Sequence, residues 1–148
     1  MLERKPSLLK KIRTENITKV KPPEGTKLIS GEIADYWLDT NGILFSYSKN
    51  PKRTVKNISE NIALVKKITG GKKVPLLIYL SNSPVPDKQT RKFATEQLPT
   101  IYSAMAMVSK PGLSKFIMNI LFSLKKSPIP MKSFSDDTEA RDWLKQYL

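Results

Sequence analysis

Cysteine and histidine are both missing from this chain. The first absence removes disulfides, thiolate nucleophiles and thiolate metal sites together. The second removes the commonest general base near neutral pH and the commonest metal ligand. Acidic residues are scarce as well, 13 against 26 Lys and Arg, and most stand where a helix or a cap would use them. Paired-carboxylate catalysis therefore has few members to draw on. The chain is expected not to be an enzyme and to need no cofactor or metal. Long apolar runs are absent too, since none approaches the roughly 20 residues that a bilayer-crossing helix requires. The opening MLERKPSLLKKIRTEN is basic but has no continuous apolar segment, so it makes a poor signal peptide. The expected location is cytoplasmic, with peripheral attachment to a membrane as the alternative.

What the chain does have is positive charge, unevenly placed. Its 148 residues fit one domain with a real core, and its net charge is +13. Residues 1–27 hold eight basic against three acidic residues, and their Pro6, Pro22, Pro23 and Gly25 suit a basic, flexible tail. Residues 28–148 then read as a single domain. Between Gln97 and Ser135 no acid occurs, while Lys110, Lys115, Lys125, Lys126 and Lys132 add further charge. Such fields attract nucleic acid, anionic lipid or acidic protein without choosing among them. No helix-turn-helix, RNA-binding aromatic motif or zinc module accompanies the charge, so nucleic acid is not the expected partner.

From Leu28 the pattern becomes regular. GEIADYWLDTNGILFSYS reads as a hairpin turning at Asp39-Thr40-Asn41-Gly42. TVKNISENIALVKKITGG places Val55, Ile58, Ile62, Val65 and Ile68 on one helical face and stops at Gly70-Gly71. VPLLIYL is a short apolar run suited to a strand covered on both faces. After the SNSPVP loop, DKQTRKFATEQLPTIYSA predicts a helix with Asp87 as cap and Pro99 limiting or kinking it. AMAMVS is the next strand, residues 113–124 a helix, and PIPMKSF a last strand. The closing SDDTEARDWLKQYL has the capping spacing Asp136-x-x-Glu139 and puts Ala140, Trp143, Leu144 and Tyr147 on one face. A hairpin followed by strand–helix alternation predicts an α/β domain whose small mixed sheet has mainly parallel later strands.

The succession WLDTNGILFSYS, GGKKVPLLIYLS, QTRKFA, AMAMVSKPGLSKFIMNILF and SPIPMKSFSDDTEARDWL resembles the SpoIIAA-like, STAS/SEC14-type small bacterial domains. The resemblance implies a central sheet with helices mostly on one side and a non-enzymatic regulatory or interaction role. For the SEC14-like members it implies lipid binding. The phosphorylatable serine of the anti-sigma antagonist branch sits in an Asp-Ser-Ser-Gly-like turn. Here SNSPVPDKQT, with Ser81 and Ser83, stands in that region, so the phosphoswitch does not carry over. Members of the group often have an acidic residue where this chain has Tyr79, a departure that weakens any polar site at that strand end.

Candidate site residues follow from placement. Ligands of open α/β sheets lie at the carboxyl ends of strands, which singles out the loops Ser81–Pro86 and Ser109–Gly112. Lys110 and Lys115 flank a helix start that could hold an anion, although Pro111 and Gly112 equally suit a plain turn. Arg91 either pairs with Asp87 one turn back or serves a partner. Trp37 and Trp143 are expected in or beside the core. On the 113–124 helix, Phe116, Ile117, Ile120, Leu121 and Leu124 form one apolar stripe. Met118 and Phe122 lie off its centre, with Asn119 in a third sector, giving more apolar surface than a sheet alone covers. Another helix, a second copy in a homodimer, or lipid would cover them.

Overall fold

The computed structural model describes residues 22–81, 83–109 and 127–148. The helix expected over 113–124 falls outside them. Six strands make one sheet: β1 (Ile29–Ser30), β2 (Ala34–Leu38), β3 (Leu44–Ser48), β4 (Val74–Tyr79), β5 (Tyr102–Val108) and β6 (Met131–Phe134). Their order across the sheet is their order along the chain. β1 to β3 pair antiparallel and β3 to β6 pair parallel, as the hairpin-then-alternation pattern predicted. The described helices are α1 (Val55–Thr69), α2 (Lys88–Ile101) and α3 (Asp137–Leu144), with a 3-10 turn over Lys145–Tyr147 continuing the last.

Local chemistry explains each junction. Asp39 turns the hairpin: its Oδ1 accepts from the backbone N–H groups of Asn41 and Ile43, both at 2.9 Å. Gly42 follows at φ 99°, a conformation that favours glycine. α1 opens with a reciprocal cap in which Thr54 Oγ1 accepts from Asn57 N and Asn57 Oδ1 accepts from Thr54 N. It closes at Gly70, which is left-handed as the Gly-Gly stop predicted. Asp87 caps α2 through Thr90 N, and α2 ends two residues beyond Pro99. Asp136 caps α3 through Thr138 N at 2.6 Å.

Pro75 sits inside β4, where its missing N–H should break a ladder. The register between β4 and β5 shifts at Val74/Pro75, so the irregularity falls where the donor is absent. β1 is the element that the sequence pattern did not announce, because two residues are too few to show a period.

Alternation along the strands builds two apolar layers. On one face Tyr36, Leu44, Leu76, Met105 and Met107 pack against Ile58, Ile62 and Val65 of α1 and partly buried Phe93 and Leu98 of α2. On the other, Trp37, Phe45, Leu77, Ala104 and Ala106 pack against Ala140 and Leu144 of α3. Two of the three described helices thus share a side, and α3 takes the opposite one. Ala104, Ala106 and Ala140 are all fully buried, which lets the helix and β5 approach closely. Full burial of Leu44, Leu77 and Leu144 contributes roughly 1.5–3 kcal/mol each. The first layer also holds a polar knot. Asn61 Nδ2 donates to the Tyr36 hydroxyl at 2.7 Å, and burial raises the pKa of Tyr36 and of the neighbouring Tyr102.

Candidate functional site

The parallel strands β3, β4, β5 and β6 share a carboxyl end at Ser48, Tyr79, Val108 and Phe134. Ligands of such sheets gather there, so the polar groups at this end decide what it can do. Arg53, in the loop between β3 and α1, donates to four acceptors. They are Lys49 O at 2.6 Å, Pro51 O at 2.7 Å, Ile33 O at 3.1 Å and Ser48 Oγ at 2.7 Å. All are neutral, and burial lowers the Arg53 pKa. Ser81 Oγ donates to the same Lys49 carbonyl at 3.1 Å, tying the loop after β4 to the loop after β3.

Beside this knot, Lys49 Nζ reaches Asp35 Oδ1 at 2.9 Å, Ser30 Oγ at 2.9 Å and Gly31 O at 2.6 Å. Ser30 donates to Asp35 as well. Burial pulls the Asp35 pKa upward, but the Ser30 hydroxyl and the Lys49 ammonium outweigh it, and the net shift is downward. Lys49 therefore fastens the short edge strand β1 to the hairpin.

On the α3 side of the sheet, strand register lines up Asp35, Tyr47, Tyr79, Val108 and Phe134 in one row. Tyr79 is the buried centre of the row, with Tyr47 at 6.3 Å and Trp37 at 6.4 Å between ring centroids. Its hydroxyl donates to Asp137 Oδ2 at 3.0 Å, joining the end of β4 to the start of α3. Burial, then the adjacent Asp137 charge, push the Tyr79 pKa far above that of an ordinary phenol. Tyr47 is only half-buried, and burial raises its pKa too. At the far end Phe134 packs against Trp143 with ring centroids 5.8 Å apart and planes tilted by 50°, and Lys132 Nζ lies 5.4 Å from the Phe134 ring centre.

The residues singled out by sequence fare differently. Arg91 does not pair with Asp87. Its guanidinium donates to the Pro86 carbonyl at 2.8 Å, while Asp87 Oδ1 accepts from Thr90 N at 2.8 Å. The loop carbonyl offered a fixed acceptor within reach, and the cap had already taken the carboxylate. Trp37 is core, and Trp143 is half-buried at its edge. Lys110, Lys115, Met118, Asn119 and Phe122 fall outside the described residues. Sequence reasoning passed over Arg53, Lys49 and Asp35. Basic side chains that bond to carbonyls leave no motif, although Thr54-x-x-Asn57 does mark the helix start beside them.

Among the described residues, no three His, Cys, Asp or Glu side chains cluster as metal ligands. No described helix is long and apolar enough to cross a membrane. What the carboxyl end offers is a rigid, hydrogen-bonded rim beside a half-exposed aromatic row.

Comparison with known proteins agrees with this architecture. A similar solved structure is the crystal structure of an uncharacterized protein of the DUF3478 family with a SpoIIAA-like fold, from Shewanella loihica PV-4. It is 15% identical, with a TM-score of 0.50 over 85% of this chain and 99% of that one. At that identity the likeness speaks for the fold alone. No curated protein matches the chain. The family model that matches is a domain of unknown function, and it spans residues 36–148, most of the sheet and all three described helices. On a SpoIIAA-like fold, the chain belongs to the DUF7793 family.

Proposed function

We propose that this chain is a small non-enzymatic interaction or regulatory module. The observation behind the reading is the way polar groups are used at the carboxyl end of the sheet. Arg53, Arg91, Ser81 and Asp87 bond to loop or helix backbone, while Asp35 and Asp137 bond to neighbouring side chains. These bonds hold a surface in shape and leave Tyr47, Val108 and Phe134 half-buried upon it. Rigid aromatic surface is the material of protein recognition. The partner is another protein or a second copy, and Met118 and Phe122, for which the sequence pattern leaves another helix, a second copy or lipid as the cover, are the residues on which self-contact is tested. Light scattering tests this part. A mass of two chains that falls to one in Phe122→Glu supports self-association, and a single-chain mass at every concentration removes it. An activity lost in a folded Asp137→Asn variant would overturn the non-enzymatic reading.

A second reading, peripheral attachment to an anionic membrane, has its own observation. The described residues carry 15 basic and 11 acidic side chains, against 11 basic and 2 acidic in the remainder. Most of the positive excess therefore lies in residues 1–21 and 110–126. Co-sedimentation with anionic and neutral vesicles at low salt tests it, and equal pelleting removes it.

A further inference from the structure

The opposite end of the sheet carries an unbalanced set of lysines. β4, β5 and β6 begin there, α1 ends there, the hairpin turns there, and β1 enters from there. Lys27, Lys66, Lys67, Lys72 and Lys73 all stand exposed at this amino end. Among the described residues none of the five has a carboxylate within 4.0 Å, whereas Lys49, Lys92 and Lys145 do. Acids at the same end are Glu24, Asp39 and Asp142, of which Asp39 is bonded to the backbone of its own turn and Asp142 is paired with Lys145. Lys66 and Lys67 complement the carbonyl end of α1. Lys72 and Lys73 are past the helix, on a turn whose Gly70 and Gly71 face open space.

Two further observations select the occupant. Of the large apolar side chains left exposed, Leu28 at 49% and Leu38 at 37% flank the same end, and Leu148 closes over Gly42 at the hairpin tip beside them. Lys73 precedes β4, two strands from Leu38 in β2 and three residues short of its level, so by sheet spacing they are roughly 14 Å apart. Lysines beside exposed leucines suit a headgroup layer over hydrocarbon better than a purely charged polymer. In addition, residues 1–21, with seven basic and two acidic side chains, join the fold through the turn leading into β1 at this end.

We infer that the amino end of the sheet, centred on Lys72 and Lys73, is the face that docks on an anionic lipid surface. This deepens the peripheral-membrane reading and rests on it. The probes are vesicles of phosphatidylcholine alone and with about a third phosphatidylserine. The wild-type chain is expected to pellet with the anionic vesicles only. Each lysine near such a surface is worth about 1 kcal/mol, so Lys72→Ala with Lys73→Ala should weaken binding roughly thirtyfold. Both side chains are exposed, and an unchanged circular-dichroism melt will show the fold intact. Lys52→Ala with Lys56→Ala, at the carboxyl end, should leave binding within about threefold of wild type. If the wild type ignores anionic vesicles, the membrane reading itself falls. If it binds and the Lys52 and Lys56 variant loses more than the Lys72 and Lys73 variant, the reading stands and the assigned face is wrong. Loss of duplex-oligonucleotide binding in the Lys72 and Lys73 variant, with vesicles ignored, would make the partner nucleic acid and overturn the lipid assignment.

Discussion

Removing the Arg53 guanidinium tests whether side chains at the carboxyl end hold its loops together. In Arg53→Ala, four hydrogen bonds from one charged group disappear at once. Bonds to charged groups contribute about 1.5–3 kcal/mol each, but bonds from one side chain do not add. Two of the acceptors also keep other donors. Ile33 O accepts from Lys49 N, and Lys49 O accepts from Ser81 Oγ. Those two carbonyls are thus not stranded, the Pro51 carbonyl is exposed to water, and the net loss should be roughly 2–4 kcal/mol. For a chain of this size that lowers Tm by about 4–16 °C.

Arg53→Lys separates geometry from charge. An ammonium has three donors on a narrow head and cannot span acceptors from Ile33 to Pro51, so it should recover less than half the loss. Urea unfolding followed by tryptophan fluorescence gives both values, because Trp37 lies in the α3-side core. Arg53→Ala within about 0.5 kcal/mol of wild type, or Arg53→Lys fully restored, would refute the account.

Three other outcomes are expected. Tyr79→Phe removes the bond to Asp137 without changing packing and should cost about 1–2 kcal/mol in urea unfolding. Ala106→Leu puts a large side chain where α3 meets β5 and should cost about 1–3 kcal/mol in the same assay, with loss of cooperativity if α3 detaches. Because the folded pKa of Asp35 lies below its ordinary 3.8, its contribution is complete above that value and fades as pH falls through the depressed one. The stability gap between wild type and Asp35→Asn, read from urea midpoints between neutral pH and about pH 2, should therefore close at the acid end.

The sequence was most informative where one periodicity dominated. The 2-residue alternation of the hairpin and the 3.6-residue spacing of Ile58, Ile62 and Val65 each had a single solution, and both elements are present. Gly42 and Gly70 marked ends that only a positive φ could make. β1 escaped notice because its place depends on Lys49 Nζ and two rungs of pairing, neither of which has a local signature. Arg91 shows the limit at the candidate site. Its charge and its distance from Asp87 were readable, but the choice between a carboxylate and the Pro86 carbonyl is made by loop geometry. Arg53 is the same problem on a larger scale, since its four partners come from two separate stretches of chain, at Ile33 and over 48–51.

Strand order that repeats chain order has a consequence for how the molecule is made. Each strand leaving the ribosome finds its neighbour already in place, so β1 to β6 can assemble by accretion, each closing on the strand just before it in sequence. The α1 side acquires its cover on the way, as α1 and α2 emerge between strands. Among the described residues the other side takes its helix cover from residues 137–148, and until they arrive Trp37, Phe45 and Leu77 lack it. The interval before α3 arrives is therefore a vulnerable one in making this fold, when a nearly complete sheet without its α3 cover is open to chaperones, to aggregation or to a partner arriving early.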